Sequence, residues 1–333
     1  ALTFRLCLRG KRPAAANTIK MGVCYNDAMT RALYYLQFLL LAGLWWLYRL
    51  MPVRWAYPIG WGVGAGAFSL FHRCKRVQTA IDNVLIAGIT KSRAEAYRIA
   101  RFSVGHFVGH VCEALRISDR VTKENWRDHV KLEMDPEVEK LVFQPTCPVI
   151  LATGHLGAWE AGITAITSVR PFFAVARLMD NPFLQRFLNR HNFRGGATII
   201  PKQRGFRGEA MRRWRNQNAA LAILFDQHCS HGAPVPFFGH TVEVYTSPAR
   251  LHLSTGAPIL VGGFLRTGPL QYKMVAIGKP ILAKPDLPHD EALRVLTAEL
   301  IARFEQVIRM APEQYLWIHR RFRGIPLPAD VEP

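Results

Sequence analysis

The chain offers little from which to build a cross-linked or metal-held protein. Its six cysteines (Cys7, Cys24, Cys74, Cys112, Cys147 and Cys229) are scattered and form no C-x-x-C pair, so the pattern is that of a reduced, cytosol-facing chain rather than a disulfide framework. His228-Cys229-Ser230-His231, with His240 beyond, fits no structural zinc spacing, and no metal is expected. No G-x-S-x-G elbow is present, which removes the serine-hydrolase arrangement. A glycine pattern at Gly62, Gly64 and Ala67 lacks a preceding strand, which removes a dinucleotide site. Negative charge is also scarce: 24 Asp and Glu stand against 43 Lys and Arg, for a net charge of +19. Such a chain seeks anionic partners. Nucleic acid is disfavoured among them, because zinc-finger spacing, an RRM-like aromatic string and a recognition-helix signature are all missing.

What is present begins with an apolar run, Pro148 to Thr153, and a helical pattern from Ala158 to Val169. Between them stands His155-Leu-Gly-Ala-Trp-Glu160. On one continuous helix residues five apart are rotated by about 500° and point away from each other. Gly154 and Gly157 indicate a turn instead. In that turn His155 leaves the strand end, while Glu160, favoured by the positive helix N-terminus, folds back to orient the ring. An imidazole with a reference pKa of about 6.5 takes a proton from an attacking hydroxyl near neutral pH, and a carboxylate behind it fixes the tautomer. The pattern reads as an acyl-transfer site: His155 as base, Glu160 as orienter, and the N–H of Gly157 or a neighbour as donor to the oxyanion. No covalent enzyme nucleophile is required.

Longer strings carry a resemblance. In order they are Ile150-Leu-Ala-Thr-Gly-His-Leu-Gly-Ala-Trp-Glu160, Ala176-Arg-Leu-Met-Asp-Asn-Pro182, Phe225-Asp-Gln227, Val235-Pro-Phe-Phe-Gly239, Thr246-Ser-Pro-Ala249, Thr255-Gly-Ala-Pro258 and Met310-Ala-Pro-Glu-Gln-Tyr-Leu-Trp-Ile-His-Arg-Arg-Phe322. As an ordered set they resemble the bacterial late acyltransferases of lipid A synthesis, a branch of the lysophospholipid acyltransferase superfamily. The match runs over residues 100 to 323 and more loosely from residue 31. Ala158 departs from it, since that family usually has Asn there. The resemblance implies transfer of a fatty acyl chain from acyl carrier protein, or coenzyme A, to a hydroxyl of a glycolipid such as a lipid A precursor. It also implies a place at the bacterial inner membrane with the catalytic domain facing the cytoplasm. No cofactor is implied beyond the acyl thioester co-substrate. Asp226 is similar to the family's third acidic site residue, its alternative being a capping carboxylate. Arg177 would grip an acceptor phosphate, or the donor's phosphopantetheine phosphate, its alternative being a surface ion pair. Arg190 and Arg194 follow by position. His319 to Phe322 is read as structural or membrane-proximal rather than catalytic. A lysophospholipid, a mannosylated phosphoinositide or an aminolipid are the other acceptors. A catalytically silent lipid-binding membrane protein is the reading from a different class, and the intact His155 and Glu160 stand against it.

Residues 170 to 215 hold eleven Lys and Arg against Asp180 and Glu209, a local +9. From charge alone this is a solvated face, a nucleic-acid surface, or a site for phosphorylated lipid or acidic carrier protein; the neighbouring motif favours the last. Ala32 to Tyr48 is 17 residues with Gln37 the only clearly polar side chain, flanked by Arg31 and Arg49 and carrying aromatics near its ends. That is close to the shortest length that spans a bilayer. A second apolar stretch, Trp55 to Phe71, has small-xxx-small glycines that would let the two segments pack together. The expected organisation is a basic extension over 1–31, a membrane anchor or embedded helical hairpin over 32–71, and an acyltransferase domain over 72–333. A buried hairpin of a soluble domain is the alternative for the middle part. From residue 90 strands and helices alternate, which predicts an α/β fold: a largely parallel sheet flanked by helices on both faces. Sites in such sheets form beyond the strands' carboxyl ends, where His155, Arg177 and Asp226 all stand.

Overall fold

The computed structural model describes residues 28–176, 178–190, 196–201, 208–283 and 286–332. Four helices lead: α1 (Ala28–Leu50), α2 (Ala56–Leu70), α3 (Lys75–Ile86) and α4 (Arg93–Ile117). The α/β part follows as α5 (Trp126–His129), β1 (Val130–Glu133), α6 (Pro136–Phe143), β2 (Val149–Thr153), α7 (Trp159–Thr167), β3 (Phe172–Ala176), α8 (Pro182–Arg190), β4 (Thr198–Pro201), α9 (Glu209–Asn216) and β5 (Ala220–Leu224). It closes with β6 (His228–Phe237), β7 (His240–Val244), α10 (Ser247–Thr255), β8 (Ile259–Gly268), β9 (Gln271–Ala276) and α11 (His289–Met310).

Seven strands form one sheet in the order β1-β9-β8-β2-β5-β3-β4. Every neighbouring pair is parallel except β8 with β9. The predicted α/β sheet is therefore found. Its central strands are apolar throughout because both faces are covered. Along β2, Ile150 and Ala152 join the core built from α3, α10, α11 and the β6–β7 hairpin, while Val149 packs with α5, α6 and α7 on the other face. The stretch after Asp226, which carries His228, Cys229 and His231, forms that antiparallel hairpin. Pro234 and Pro236 break the strand signal, yet they fall on the exposed side, while Val235, Phe237, Val242 and Val244 enter the core.

At the N-terminus, no single helix among the described residues is long and apolar enough to cross a membrane. Met29–Leu50 and Val53–Leu70 pass on length and composition only as a pair, bent by 114°. Leu36, Leu40 and Leu47 on α1, and Ile59, Val63 and Leu70 on α2, are exposed. The expected packing of these two segments through glycine needs correction. The glycine face of α2 meets α4: a Cβ on Gly64 would lie 2.8 Å from the Val104 carbonyl oxygen, and one on Gly60 would lie 2.9 Å from Gly109 Cα. α1 instead leans on α8 through Phe38 with Phe183 and Phe187, and Trp45 with Phe187. Asn181 fixes that contact. Its carbonyl oxygen caps α8 by accepting from the Phe183 and Leu184 amides, and its amide nitrogen donates to the Tyr34 carbonyl. The Asp-Asn-Pro string is thus a helix start tied to the apolar N-terminal helix.

This packing separates two glycines two residues apart. Gly64→Val should destabilise the protein by about 1–3 kcal/mol through overpacking against α4. At Gly62 an added Cβ would meet nothing within 4 Å. Gly62→Ala should therefore stabilise by roughly 0.5–1 kcal/mol, because alanine lowers the entropy cost of the helix. Thermal melting in detergent of both variants checks the pair; equal effects would mean that α2 does not pack on α4 through this face.

Candidate active site

β2 and β5 lie side by side with Thr153 opposite Leu224. Two residues further along each strand are His155 and Asp226, so parallel register alone sets them facing each other. The His155 ring Nδ1 lies 2.9 Å from Asp226 Oδ1, and the His155 backbone N–H donates to Oδ2 at 3.0 Å. Gly154 keeps this approach open: a Cβ there would run into the Phe304 ring and sit 2.7 Å from the Asp226 carboxyl carbon.

Asp226 is 2% exposed, whereas the His155 side chain is 23% exposed. The carboxylate is therefore sealed and the outer edge of the imidazole is reachable. Burial pushes the Asp226 carboxyl up, but the hydrogen bonds and charge of His155, with Arg321 nearby, outweigh it and hold the group below its usual range. Burial works against the charged form of His155, and the hydrogen bond and charge of Asp226 overcome it to raise the ring above the ordinary histidine value. With Asp226 ionised, Nδ1 carries the proton and Nε2 presents the lone pair. Such an arrangement can act as a general base with a buried orienting carboxylate.

Two sequence assignments change here. Glu160 does not orient His155: it lies in the first turn of α7, buried, with its carboxylate against Nε2 of His110 on α4. Spacing along the chain favoured the nearest acid, while strand register supplies one 71 residues away. Glu160 joins a buried polar layer in which Glu113 takes a two-toothed contact from Arg266 at 2.9 and 3.0 Å and a hydrogen bond from Tyr272 at 2.8 Å. His106, 2.9 Å from the Tyr57 hydroxyl, is held neutral, its pKa pushed down to about 3 by burial and by His110. Gly157 is not an available oxyanion donor either. Its φ of +71° and its close approach to the Phe264 carbonyl require glycine, but its N–H donates to the Gln314 carbonyl at 3.1 Å. Ala158, where the family usually has Asn, is fully buried and donates its N–H to Phe264.

The C-terminal string does more than its sequence reading allowed. Leu316 N–H donates to the His155 carbonyl, and the buried Tyr315 lies close enough to Asp226 that burial and the carboxylate charge hold its hydroxyl protonated. Arg321, buried, stands over Phe237 with its charge felt at Asp226. His319 lies with its ring centroid 5.4 Å from that of His155. Gln227 connects the two rings, its amide nitrogen 3.2 Å from His155 Nε2 and 2.9 Å from His319 Nε2. The sequence signal for Tyr315, Leu316, His319 and Arg321 was the density of the terminal match, and for Gln227 the Phe225-Asp-Gln227 string; neither said what it touched. Arg177 and Arg194 lie outside the described residues; Arg190 is the last residue of α8. Among the basic block, Arg170 is no surface charge: it is buried and donates to the Cys147 carbonyl.

Fold and site define an α/β protein with a histidine–aspartate pair at the carboxyl ends of its two central strands. The chain belongs to the bacterial lipid A biosynthesis acyltransferase family, which it matches over residues 24–324. It is 26% identical over 114 residues to phosphatidylinositol mannoside acyltransferase of Mycolicibacterium smegmatis, a stretch that is 33% of this chain and 38% of that protein. The chain thus spans about two-fifths of the length of that curated relative. The crystal structure of the 1-acyl-sn-glycerophosphate (LPA) acyltransferase PlsC from Thermotoga maritima is 14% identical, with 71% of this chain and 97% of that chain covered and a TM-score of 0.33. That likeness is too distant to argue from.

The pairing fixes a titration. His155 should titrate above the reference value of about 6.5, and in Asp226→Asn it should titrate below it, because burial then acts on the ring without an opposing charge. Histidine-labelled NMR, with His155→Gln to assign the signal, checks this; an unchanged midpoint in Asp226→Asn would break the pair.

Proposed function

We propose that the protein transfers a fatty acyl chain from a thioester, on acyl carrier protein or coenzyme A, to a hydroxyl of a glycolipid, with a lipid A precursor as the acceptor. The observation that carries this is the His155–Asp226 pair, with its Nε2 edge reachable and its Nδ1 edge sealed. Nε2 takes the proton of the acceptor hydroxyl as its oxygen attacks the thioester carbonyl carbon. The carbon–sulfur bond breaks, and the departing thiolate takes that proton from His155. Asp226 holds the tautomer and offsets the imidazolium charge between these steps. Such a pair has no evident use in a silent lipid-binding protein.

Two further features support a lipid substrate. An apolar cavity lies between α6 and the sheet, lined by Val138, Val142, Leu151, Thr153, Phe264 and Met274. Thr153 is two residues before His155, so hydrocarbon seated there would lie close to the base. The apolar exposed faces of α1, rich in leucine, and of α2 suit partial burial in a bilayer as a bent hairpin entered from one side, at the inner membrane with the site facing the cytoplasm. The surplus of arginine past β3 then meets anionic headgroups or an acidic carrier protein, with Arg177, Arg190 and Arg194 as the residues to grip phosphate. In this reading the HxxxxE glutamate, Glu160, acts by fixing the helix that follows the base.

The match to a phosphatidylinositol mannoside acyltransferase gives a second acceptor, a mannosylated phosphoinositide. Mass spectrometry of lipids from a strain lacking the gene separates the two. We expect lipid A to lose one acyl mass, restored by the wild-type gene and not by His155→Ala, whose transfer rate should fall by a factor on the order of 10³ or more. An intact lipid A with an acyl chain missing from a mannosylated lipid moves the acceptor, and full restoration by His155→Ala removes the mechanism.

A further inference from the structure

Each backbone amide from His155 to Ala158 is already engaged. His155 N–H donates to Asp226, Leu156 to the Gly154 carbonyl, Gly157 to Gln314 and Ala158 to Phe264. A thioester carbonyl under attack becomes an oxyanion, and acyl transfer is slow without a positioned donor for it. None of the amides from His155 to Ala158 is left to serve as that donor.

Among the described residues, Gln227 brings a side-chain donor within hydrogen-bond distance of His155 Nε2, and the proton inventory of its neighbours fixes how it is turned. His155 holds its hydrogen on Nδ1, toward Asp226, so Nε2 is a bare lone pair. A carboxamide oxygen facing that lone pair would be repelled. The NH2 end therefore stands between the rings, one hydrogen toward His155 Nε2 at 3.2 Å and the other toward His319 Nε2 at 2.9 Å. His319 must accept at Nε2. Burial holds its pKa below the ordinary value, which keeps it neutral and able to do so. Its own backbone is pinned: Asn83, buried on α3, donates to the carbonyls of both Trp317 and His319. Gln227 is thus aimed by a chain of contacts that begins in the core.

We infer that Gln227 is the oxyanion donor of the acyl transfer, and that His319 is the positioning residue that holds its carboxamide; the assignment rests on the acyl-transfer reading of His155. In the resting site one Gln227 N–H points at the base. When the acceptor hydroxyl takes that lone pair, the N–H is released beside the carbon under attack. As the new carbon–oxygen bond forms, the carbonyl electron pair moves onto oxygen and is met by this N–H, while the hydroxyl proton passes to Nε2. Collapse returns the pair, the carbon–sulfur bond breaks, and the thiolate leaves with the proton. The second N–H stays on His319 throughout, so the donor does not have to be reoriented by solvent.

The test is thioester cleavage of radiolabelled palmitoyl-coenzyme A by the full chain in detergent micelles containing bacterial total lipid extract, with ester and free fatty acid counted together. Gln227→Ala should lower kcat by roughly 10²–10³ and leave KM for the thioester within about two-fold. Gln227→Glu has nearly the same shape but no N–H, and should be no better; it reads the proposal if the alanine variant is poorly folded. His319→Leu should cost about ten-fold in kcat, restored by His319→Gln, whose carbonyl oxygen reaches the same point; adding it to Gln227→Ala should cost nothing more. Wild-type kcat in both Gln227 variants, or a loss confined to KM, overturns the assignment while leaving the base intact. If His155→Ala cleaves as fast as wild type, the acyl-transfer reading fails, and this inference with it.

Discussion

A carboxylate that is 2% exposed must be met by donors and positive charge on every side, or it will take up a proton. Asp226 is that carboxylate, and much of the site is arranged to answer it. Strand register brings His155, which supplies both its ring and its amide. The C-terminal segment brings the Tyr315 hydroxyl and the Arg321 charge. The segment in turn is fixed by contacts at each step: Gln314 pairs with the backbone of Arg266 in both directions, Trp317 Nε1 donates to the Pro312 carbonyl, and Asn83 holds Trp317 and His319. Removing the Asp226 charge would leave Tyr315, Arg321 and the ring without the group they were buried to satisfy.

The second organising element is the polar layer between α4 and the sheet. Glu160 with His110, and Glu113 with Arg266 and Tyr272, are too deeply buried to serve as reactants without opening the fold. They tie the helix after the His155 turn, and the strand that receives the Ala158 amide, to the helix that packs against the apolar hairpin. The position of His155 is therefore set from two sides, by Asp226 in the sheet and by this layer behind α7. A helix pair whose exposed face is apolar thus connects physically to the turn that carries His155.

The alternation of strand and helix was legible because apolar runs of four to six residues recur between helical patterns. His155 and Asp226 were legible as strand-end residues for the same reason. Their pairing was not. Sequence distance favoured Glu160, five residues on, and only the lateral order of β2 and β5 reveals that Asp226 is the neighbour. The glycine face of α2 was visible as a pattern, but its partner, α4, is some forty residues further along. Likewise the spent amide of Gly157 depends on a carbonyl at residue 314. Local chemistry could be read from the chain, whereas the choice among partners is made by tertiary contacts. The hairpin after Asp226 was hidden for a different reason, since its two prolines sit on the exposed side of an edge strand.

The central claim is that Asp226, and not the glutamate of the HxxxxE string, is the partner of the base. The pH dependence of turnover in Asp226→Asn and Glu160→Gln tests it most directly. Because the folded pKa of His155 is raised, the neutral base is lost as pH falls through a value above the reference of about 6.5, and the wild-type acid limb should lie there. Asp226→Asn should lose on the order of 10²–10⁴ in kcat and shift its acid limb to lower pH, while Glu160→Gln should keep the wild-type limb whatever its loss of rate. A limb that moves in Glu160→Gln and stays in place in Asp226→Asn would contradict the account.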